Sequence, residues 1–155
     1  MPRSRATATR QTLETDWAFF GELCRALAVH VSRAYQPEVV VGIAKAGVVP
    51  AAIVATILDC EFAAMVVTRA SDEDQPELVT GPPVGVAGKR VLLVDETCDT
   101  GDTFKVALHS LAAIGPSDVR TAVSFRTGVW EPDFFAFETD KAIVLPWDRA
   151  IVKQG

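Results

Sequence analysis

The sequence has little cysteine, no concentrated positive charge and no uninterrupted apolar run long enough to span a membrane, and each shortage argues against a class of protein. Its 155 residues contain three cysteines, an odd number without metal-ligand spacing, so neither a disulfide framework nor a zinc site is indicated. A net charge of −5 with dispersed basic residues argues against a protein that binds the phosphate backbone of nucleic acids. We therefore expect a reducing, cytoplasmic location and no nucleic-acid partner.

The sequence also lacks a run that reads as a membrane span or a secretory signal. Residues 39–58 are nearly all apolar, but Lys45, Pro50 and two glycines interrupt them. A charge at the centre of a span is costly, so a buried strand, a loop and a buried helix explain this stretch better. No membrane association is expected.

Length and composition are those of one globular domain, predicted to extend over residues 1–155. Hydrophobic residues make up 49% of the chain and charged residues 23%, which is enough apolar material for a single core. Arg3, Arg5 and Arg10 lie in a segment predicted to be a flexible, solvated arm over residues 1–12.

The spacing of apolar residues predicts that strands and helices alternate. A helix is expected from Trp17 to about Tyr35, because apolar positions recur there at steps of three and four. Further helices are predicted at 48–58 and 103–114, and strands at 39–43, 62–68, 90–94, 119–125, 134–137 and 142–145. This alternation predicts an α/β fold with a mostly parallel sheet and helices on both faces. In such sheets ligands bind at the carboxyl ends of the strands.

Residues 69–88 are rich in acidic residues, proline and glycine and show little hydrophobic periodicity. A loop of that length inside a compact domain is usually a functional element. We therefore predict a mobile lid loop over residues 69–88.

The segment 91–103, VLLVDETCDTGDT, concentrates polar side chains after a buried strand. Asp95 and Glu96 end the strand, where a charge is expensive unless it has a partner or a task. The residues from Thr100 to Thr103 lead into a helix, so their backbone N–H groups can converge on a phosphate. The neighbouring carboxylates can accept from sugar hydroxyls or hold magnesium through water. The segment therefore predicts a site for a ribose and its 5′-phosphate, formed by an acidic turn over residues 95–103.

This segment resembles the phosphoribosyl pyrophosphate (PRPP) motif of type I phosphoribosyltransferases: a hydrophobic strand, two acids, two spacers and Asp-Thr-Gly-x-Thr. The resemblance implies that Asp95 and Glu96 hold the ribose hydroxyls and the magnesium shell. It implies that Asp99 takes a proton from the base, as in the purine enzymes of the family. The residues that would bind the 5′-phosphate are Thr100, Gly101, Asp102 and Thr103.

A second strand-to-helix turn, GIAKAGVVPA at residues 42–51, resembles the pyrophosphate loop of the same family. The resemblance implies that Lys45 and Ala46 face the leaving pyrophosphate. The family usually has two glycines after the basic residue, whereas this chain has Ala46-Gly47. Both turns follow strands of one sheet, so we expect them to lie side by side.

Residues 131–148, which end in Pro-Trp-Asp, resemble the closing part of hypoxanthine-guanine and xanthine-guanine phosphoribosyltransferases. The resemblance implies a base pocket formed by Arg126, Ile143, Trp147 and Asp148. Two positions depart from the purine-enzyme pattern. Ala142 replaces an aromatic residue that stacks on the base, and Arg126 is the nearest match to a lysine that donates to purine O6.

The resemblance implies an enzyme of purine salvage that transfers phosphoribose from PRPP to a nitrogenous base, here a 6-oxopurine (guanine, xanthine or hypoxanthine). Magnesium is the implied cofactor, and a homodimer or higher homo-oligomer the implied assembly. The altered base pocket leaves open a regulatory protein that binds PRPP or nucleotides without catalysis. Two other interpretations of residues 91–103 fit less well. A simple helix cap leaves the strand-end acids unexplained, and a response-regulator receiver would carry its paired acids on the first strand.

Overall fold

The computed structural model describes residues 10–71 and 74–148. Within these residues the helices are α1 (Trp17–Ser32), α2 (Val48–Leu58) and α3 (Asp102–Ile114), with a turn of 3₁₀ helix at Val84–Val86. The strands are β1 (Thr12–Glu14), β2 (Val39–Ala44), β3 (Glu61–Thr68), β4 (Glu77–Thr80), β5 (Arg90–Cys98), β6 (Asp118–Arg126), β7 (Phe134–Glu138) and β8 (Ala142–Val144).

A six-stranded sheet in the order β4-β3-β2-β5-β6-β7 forms the centre of the described residues. Its strands are parallel except for β4, which pairs with β3 in the antiparallel sense at one edge. The central strands β2 and β5 carry continuous apolar runs because both of their faces are covered. The predicted α/β class, with a mostly parallel sheet, is confirmed.

Helices cover both faces of this sheet. Helix α3 packs through Phe104, Ala107 and Leu111 against the face that presents Val41 and Leu93. Helices α1 and α2 pack on the opposite face, which presents Val40, Leu92 and Val94. Alternate residues of a strand point to opposite faces, so each central strand contributes to both cores.

A second, two-stranded sheet lies beyond the carboxyl edge of the main one. Strand β1 pairs in parallel with β8, with Thr12 opposite Ala142 and Leu13 opposite Ile143. The Thr15 hydroxyl donates to the carbonyl of Val144 at 2.8 Å and fixes the end of this pairing. We call β1 and β8 together the hood, because they cover one side of the cavity described below.

The predicted elements agree with the structure except at a few places. Helix α1 ends at Ser32, three residues before the predicted end at Tyr35. Strand β5 continues to Cys98, so Asp95 and Glu96 lie within the strand, and the predicted acidic turn begins only at Asp99. The extension is stabilised by pairing of β5 with β6, in which Asp95 is opposite Val123.

Strands β1 and β4 were not predicted from the sequence. Strand β4 lies inside the predicted lid 69–88, and all four of its residues are exposed at the sheet edge. Residues 72 and 73 of that segment lie outside the described residues, and the lid role stays a prediction. Residues 1–9 of the predicted arm also lie outside them, whereas Arg10 is held by hydrogen bonds. No helix within 10–71 or 74–148 is long and apolar enough to cross a membrane.

Candidate active site

A cavity of about 690 Å³ opens where the central strands end, between the main sheet and the hood. A second cavity of about 540 Å³ adjoins it beside the β2–α2 turn. Five residues line both cavities: Ala46, Asp95, Glu96, Thr103 and Trp147. The two strand-to-helix turns therefore meet at one edge of the sheet, as the order of elements predicted.

The floor of the larger cavity carries the adjacent carboxyl groups of Asp95 and Glu96. Asp95 is buried, and its Oδ1 accepts a hydrogen bond from the backbone N–H of Glu96 at 2.9 Å. Burial and the neighbouring Glu96 carboxylate raise the pKa of Asp95 well above its ordinary value. A bound cation or hydroxyl donors would stabilise the uncompensated negative charge of this acidic pair.

The turn between β5 and α3 presents backbone N–H groups to the same cavity. Gly101 adopts a left-handed conformation with φ 82°, which places the first turn of α3 at the cavity wall. The Thr100 hydroxyl accepts from the N–H of Asp102 at 3.3 Å. The indole of Trp130 covers Gly101 from behind and stacks on Phe104 with a centroid distance of 4.9 Å. This turn is a rigid cradle suited to a phosphate group.

Asp99 stands at the start of this turn with an exposed carboxylate. Its carbonyl accepts from the N–H of Trp130 at 3.2 Å, and a methyl group on Gly128 would collide with its Oδ1. Its Oδ2 lies 3.3 Å from Nη1 of Arg10. Asp99 is thus fixed from behind while its carboxylate faces the cavity.

Arg10 is a cavity residue that the sequence did not indicate. Its Nε donates to the carbonyl of Asp140 at 2.5 Å, and its Nη2 donates to the carbonyl of Thr127 at 2.6 Å. The sequence alone places Arg10 in a solvated arm, because the polar residues around it in the sequence form no pattern that predicts a tertiary contact. The signal is non-local, since only the pairing of β1 with β8 brings Arg10 to the cavity.

The β2–α2 turn brings Lys45 and Ala46 to the second cavity. The peptide bond between Ala44 and Lys45 is cis. Gly47, the N-cap residue of α2, packs directly against β5. A methyl group on Gly47 would lie 2.5 Å from the carbonyl of Ile43, 2.7 Å from Oδ1 of Asp95 and 3.1 Å from Asp95 Cα. The turn and the acidic pair are therefore in direct contact.

Gly47→Ala is expected to lower the free energy of unfolding by about 1–3 kcal/mol, because backbone as well as side-chain atoms must move to admit the methyl group. Chemical denaturation monitored by circular dichroism measures this change. The matched control is Gly21→Ala, in an exposed part of α1 with open space at the position of the new methyl group. That variant should be more stable by about 0.5–1 kcal/mol. Equal stability of the two variants would contradict the close packing at Gly47.

The residues predicted to form the base pocket separate into two groups. Ile143, Trp147 and Asp148 line the larger cavity, together with Ala142. Trp147 also packs edge-on against Phe20 at 5.1 Å, so its ring belongs to the core as well as to the cavity wall.

Arg126, predicted to bind the base, is not among the residues that line either cavity. Its guanidinium donates to the carbonyl of Trp130 at 3.1 Å and forms ion pairs with Glu138 at 3.3 Å and Glu131 at 3.6 Å. These partners hold the guanidinium against the β6–β7 connection. The cavity receives Thr127 instead, the next residue along the chain.

Among the described residues, no group of three or more histidine, cysteine or acidic side chains is placed to hold a metal. Asp95 and Glu96 remain a set of two carboxylates beside the phosphate cradle. Mg²⁺ is commonly held by one or two carboxylates, several waters and the substrate's own phosphates, so this donor set suits it.

Comparison with known proteins identifies the fold around this site. The family model described as the phosphoribosyl transferase domain matches residues 15–153. A purine phosphoribosyltransferase from Pyrococcus horikoshii has a similar structure, with a TM-score of 0.81 and 27% identity over 94% of this chain and 99% of that one. The xanthine-guanine-hypoxanthine phosphoribosyltransferase of Helicobacter pylori shares the fold, with a TM-score of 0.69 and 18% identity over 89% and 94% of the two chains.

One curated relative has a different role. The transcriptional regulator GfcR of Archaeoglobus fulgidus is 36% identical over 89 residues, which are 56% of this chain. The matched part is only 46% of that regulator, so this chain accounts for less than half of its length.

Proposed function

This chain belongs to the phosphoribosyl transferase domain family, and from that premise we propose that it transfers the phosphoribosyl group of PRPP to a nitrogenous base, with a 6-oxopurine as the acceptor. The products are a nucleoside 5′-monophosphate and pyrophosphate. The observation that carries the proposal is that the phosphate cradle at residues 100–103, the acidic pair Asp95 and Glu96, and Asp99 line the same cavity.

The cradle and the acidic pair account for the binding of PRPP. The N–H groups of the turn at residues 100–103 that are not bonded within the turn donate to the 5′-phosphate, and the carboxylates of Asp95 and Glu96 accept from the ribose hydroxyls. Lys45 in the adjoining cavity supplies a positive charge for the pyrophosphate. Magnesium held beside Asp95 and Glu96 would neutralise charge on the departing pyrophosphate.

The reaction exchanges one bond at the anomeric carbon for another. The bond to the pyrophosphate oxygen breaks ahead of attack, the new bond forms to a ring nitrogen of the base, and the proton on that base passes to Asp99. The protein contributes mainly by positioning the two substrates and by stabilising the charge that moves to the leaving group. Asp99 is exposed and fixed from behind, as a proton acceptor requires.

Two observations support a purine as the acceptor. The Pyrococcus horikoshii relative, which shares 27% of its residues over nearly its whole length, is a purine enzyme. The cavity also has apolar walls at Ala142, Ile143 and Trp147, against which a flat base can lie. The ring of Trp147 can supply the aromatic surface for the base that Ala142 lacks.

A second candidate function is a regulatory protein that binds PRPP or a nucleotide without catalysis. The likeness to an archaeal transcriptional regulator favours it. The two candidates differ in turnover, because a sensor binds PRPP and releases no pyrophosphate.

The experiment that tests the proposal is a pyrophosphate-release assay with PRPP and Mg²⁺. The bases to compare are guanine, xanthine, hypoxanthine, adenine, uracil and orotate. We expect release with the 6-oxopurines and little with the pyrimidines. Binding of PRPP with no release from any base would contradict catalysis and favour the sensor.

We also propose a cytoplasmic location and a homo-oligomeric assembly. All three cysteines are free, which suits a reducing compartment. Mass photometry of the purified protein would measure its oligomeric state.

A further inference from the structure

We infer that Arg10 reads the 6-oxo group of the acceptor base and so selects 6-oxopurines over adenine, an inference that rests on the proposed base-binding function of this cavity. Arg10 belongs to none of the motifs by which the family was identified. It precedes β1, and it lines the cavity together with Asp99, Ala142 and Ile143.

The guanidinium of Arg10 is held in one orientation. Its Nε and Nη2 donate to the carbonyls of Asp140 and Thr127, at 2.5 Å and 2.6 Å. These carbonyls come from two different connections, one after β7 and one after β6, so the plane of the guanidinium is set by the main chain. Because the guanidinium is already ordered, binding a ligand to it costs little further side-chain entropy.

Donor capacity remains after these contacts. A guanidinium has five N–H groups, and the bonds to Asp140, Thr127 and Asp99 use three of them among the described residues. The side chain of Arg10 is 42% exposed, and it faces the cavity. Its remaining N–H groups are therefore available to a ligand.

Arg10 and Asp99 together form a donor beside an acceptor. Nη1 of Arg10 lies 3.3 Å from Oδ2 of Asp99, so the two groups are side by side at the same wall. The matching edge of a base carries an acceptor next to a protonated ring nitrogen. A free 6-oxopurine with its proton on N7 has that edge, with O6 beside N7–H, whereas adenine places an amino group beside N7. In the nucleotides IMP and AMP the O6 and amino groups still differ at the position that Arg10 faces.

Adenine would set two donors against each other at this wall. The amino group of the base would face the N–H of Arg10, and one of them would lose its partner on burial. Sites built to hydrogen-bond one group discriminate strongly against an analogue that cannot pair with it. Arg10 thus supplies the O6 donor that Arg126, held by Trp130 and Glu138, does not.

The test compares Arg10→Gln with the wild type by calorimetric binding of the nucleotides IMP and AMP. The wild type should bind IMP more tightly than AMP. Arg10→Gln should lower the affinity for IMP by about 10- to 100-fold and change that for AMP by less than about threefold. The matched control is Arg120→Gln, an arginine of similar exposure that pairs with Asp118 at 3.1 Å and lines neither cavity. It should leave both affinities unchanged.

A second variant keeps the test decisive if Arg10→Gln does not fold. Arg10→Lys keeps the charge, but its donors share one nitrogen and cannot reach both carbonyls and a base together. It should reduce the IMP-to-AMP affinity ratio by about three- to tenfold. An unchanged ratio in a folded Arg10 variant, equal loss of both nucleotides, or equal binding of both by the wild type would overturn the inference.

The same proteins separate this inference from the proposed reaction. If the wild type releases no pyrophosphate yet prefers IMP through Arg10, the reaction fails and the inference stands. If the wild type converts hypoxanthine and Arg10→Gln keeps the preference for hypoxanthine over adenine, the inference fails and the reaction stands. The KM for PRPP should be the same in both proteins, because Arg10 contacts the base and not the phosphates.

Discussion

Asp99→Asn is expected to lower kcat for nucleotide formation by about 10²- to 10⁴-fold while the KM for PRPP changes by less than about threefold. The amide keeps the shape of the carboxylate and its contact with Arg10, but it cannot take up a proton. Steady-state rates at saturating hypoxanthine, together with direct PRPP binding, measure the two quantities separately. Reverse pyrophosphorolysis of IMP should fall by the same factor, since both directions pass through one transition state.

The control for this variant is Asp140→Asn. Asp140 is exposed and contributes its carbonyl, not its carboxylate, to the bond with Arg10. Its kcat should match the wild type. Equal losses of kcat and PRPP affinity in Asp99→Asn would argue against a proton acceptor and for a binding role.

Asp95→Asn is expected to weaken PRPP binding by about 100-fold and yet to make the free protein more stable at neutral pH. The affinity falls because a charged acceptor for the ribose is lost. The stability rises because Asp95 is buried beside Glu96, and both burial and that neighbour raise its pKa. Ionising Asp95 therefore costs folding free energy in the unliganded protein.

The pH dependence of this effect has a definite sign. Between the ordinary pKa of an aspartate and the raised pKa of Asp95, the folded protein holds a proton that the unfolded chain has released. The contribution of Asp95 is therefore fully present below the ordinary value and is lost as the pH rises through the raised pKa. Thermal unfolding of the wild type across this range should show the decline, and Asp95→Asn should lack it. Asp140→Asn should keep the wild-type slope, and a decline of equal size in Asp95→Asn would contradict this origin.

The parts of the fold that were predictable have local causes. Helix α2 has the predicted bounds because Asp59, in the left-handed region, ends it directly after Leu58. Strands β2 and β5 were recognisable from uninterrupted branched apolar residues. Strand β4 was not, because its exposed residues have no buried face to impose a pattern.

In the candidate site, too, the features with local causes were predictable from the sequence and the others were not. Asp95 to Thr103 lie within one continuous segment, so their types and spacing alone imply a phosphate and a sugar. The sequence does not indicate Arg10 as a cavity residue or the ion-pair partners of Arg126, because position along the chain does not fix where a long side chain is directed. Arg126 turns toward the acidic Glu131 and Glu138, and Arg10 reaches the cavity through a pairing of distant segments.

The hood has a consequence for how the protein is made. Arg10 and its partner Asp140 are 130 residues apart in the chain. A ribosome adds about 5–20 residues per second, so β1 waits on the order of ten seconds for β8 to be synthesised. Residues 95–103, which we propose bind the sugar phosphate, are synthesised before β8. The nascent chain therefore contains these residues before the hood can complete the side of the cavity proposed to bind the base.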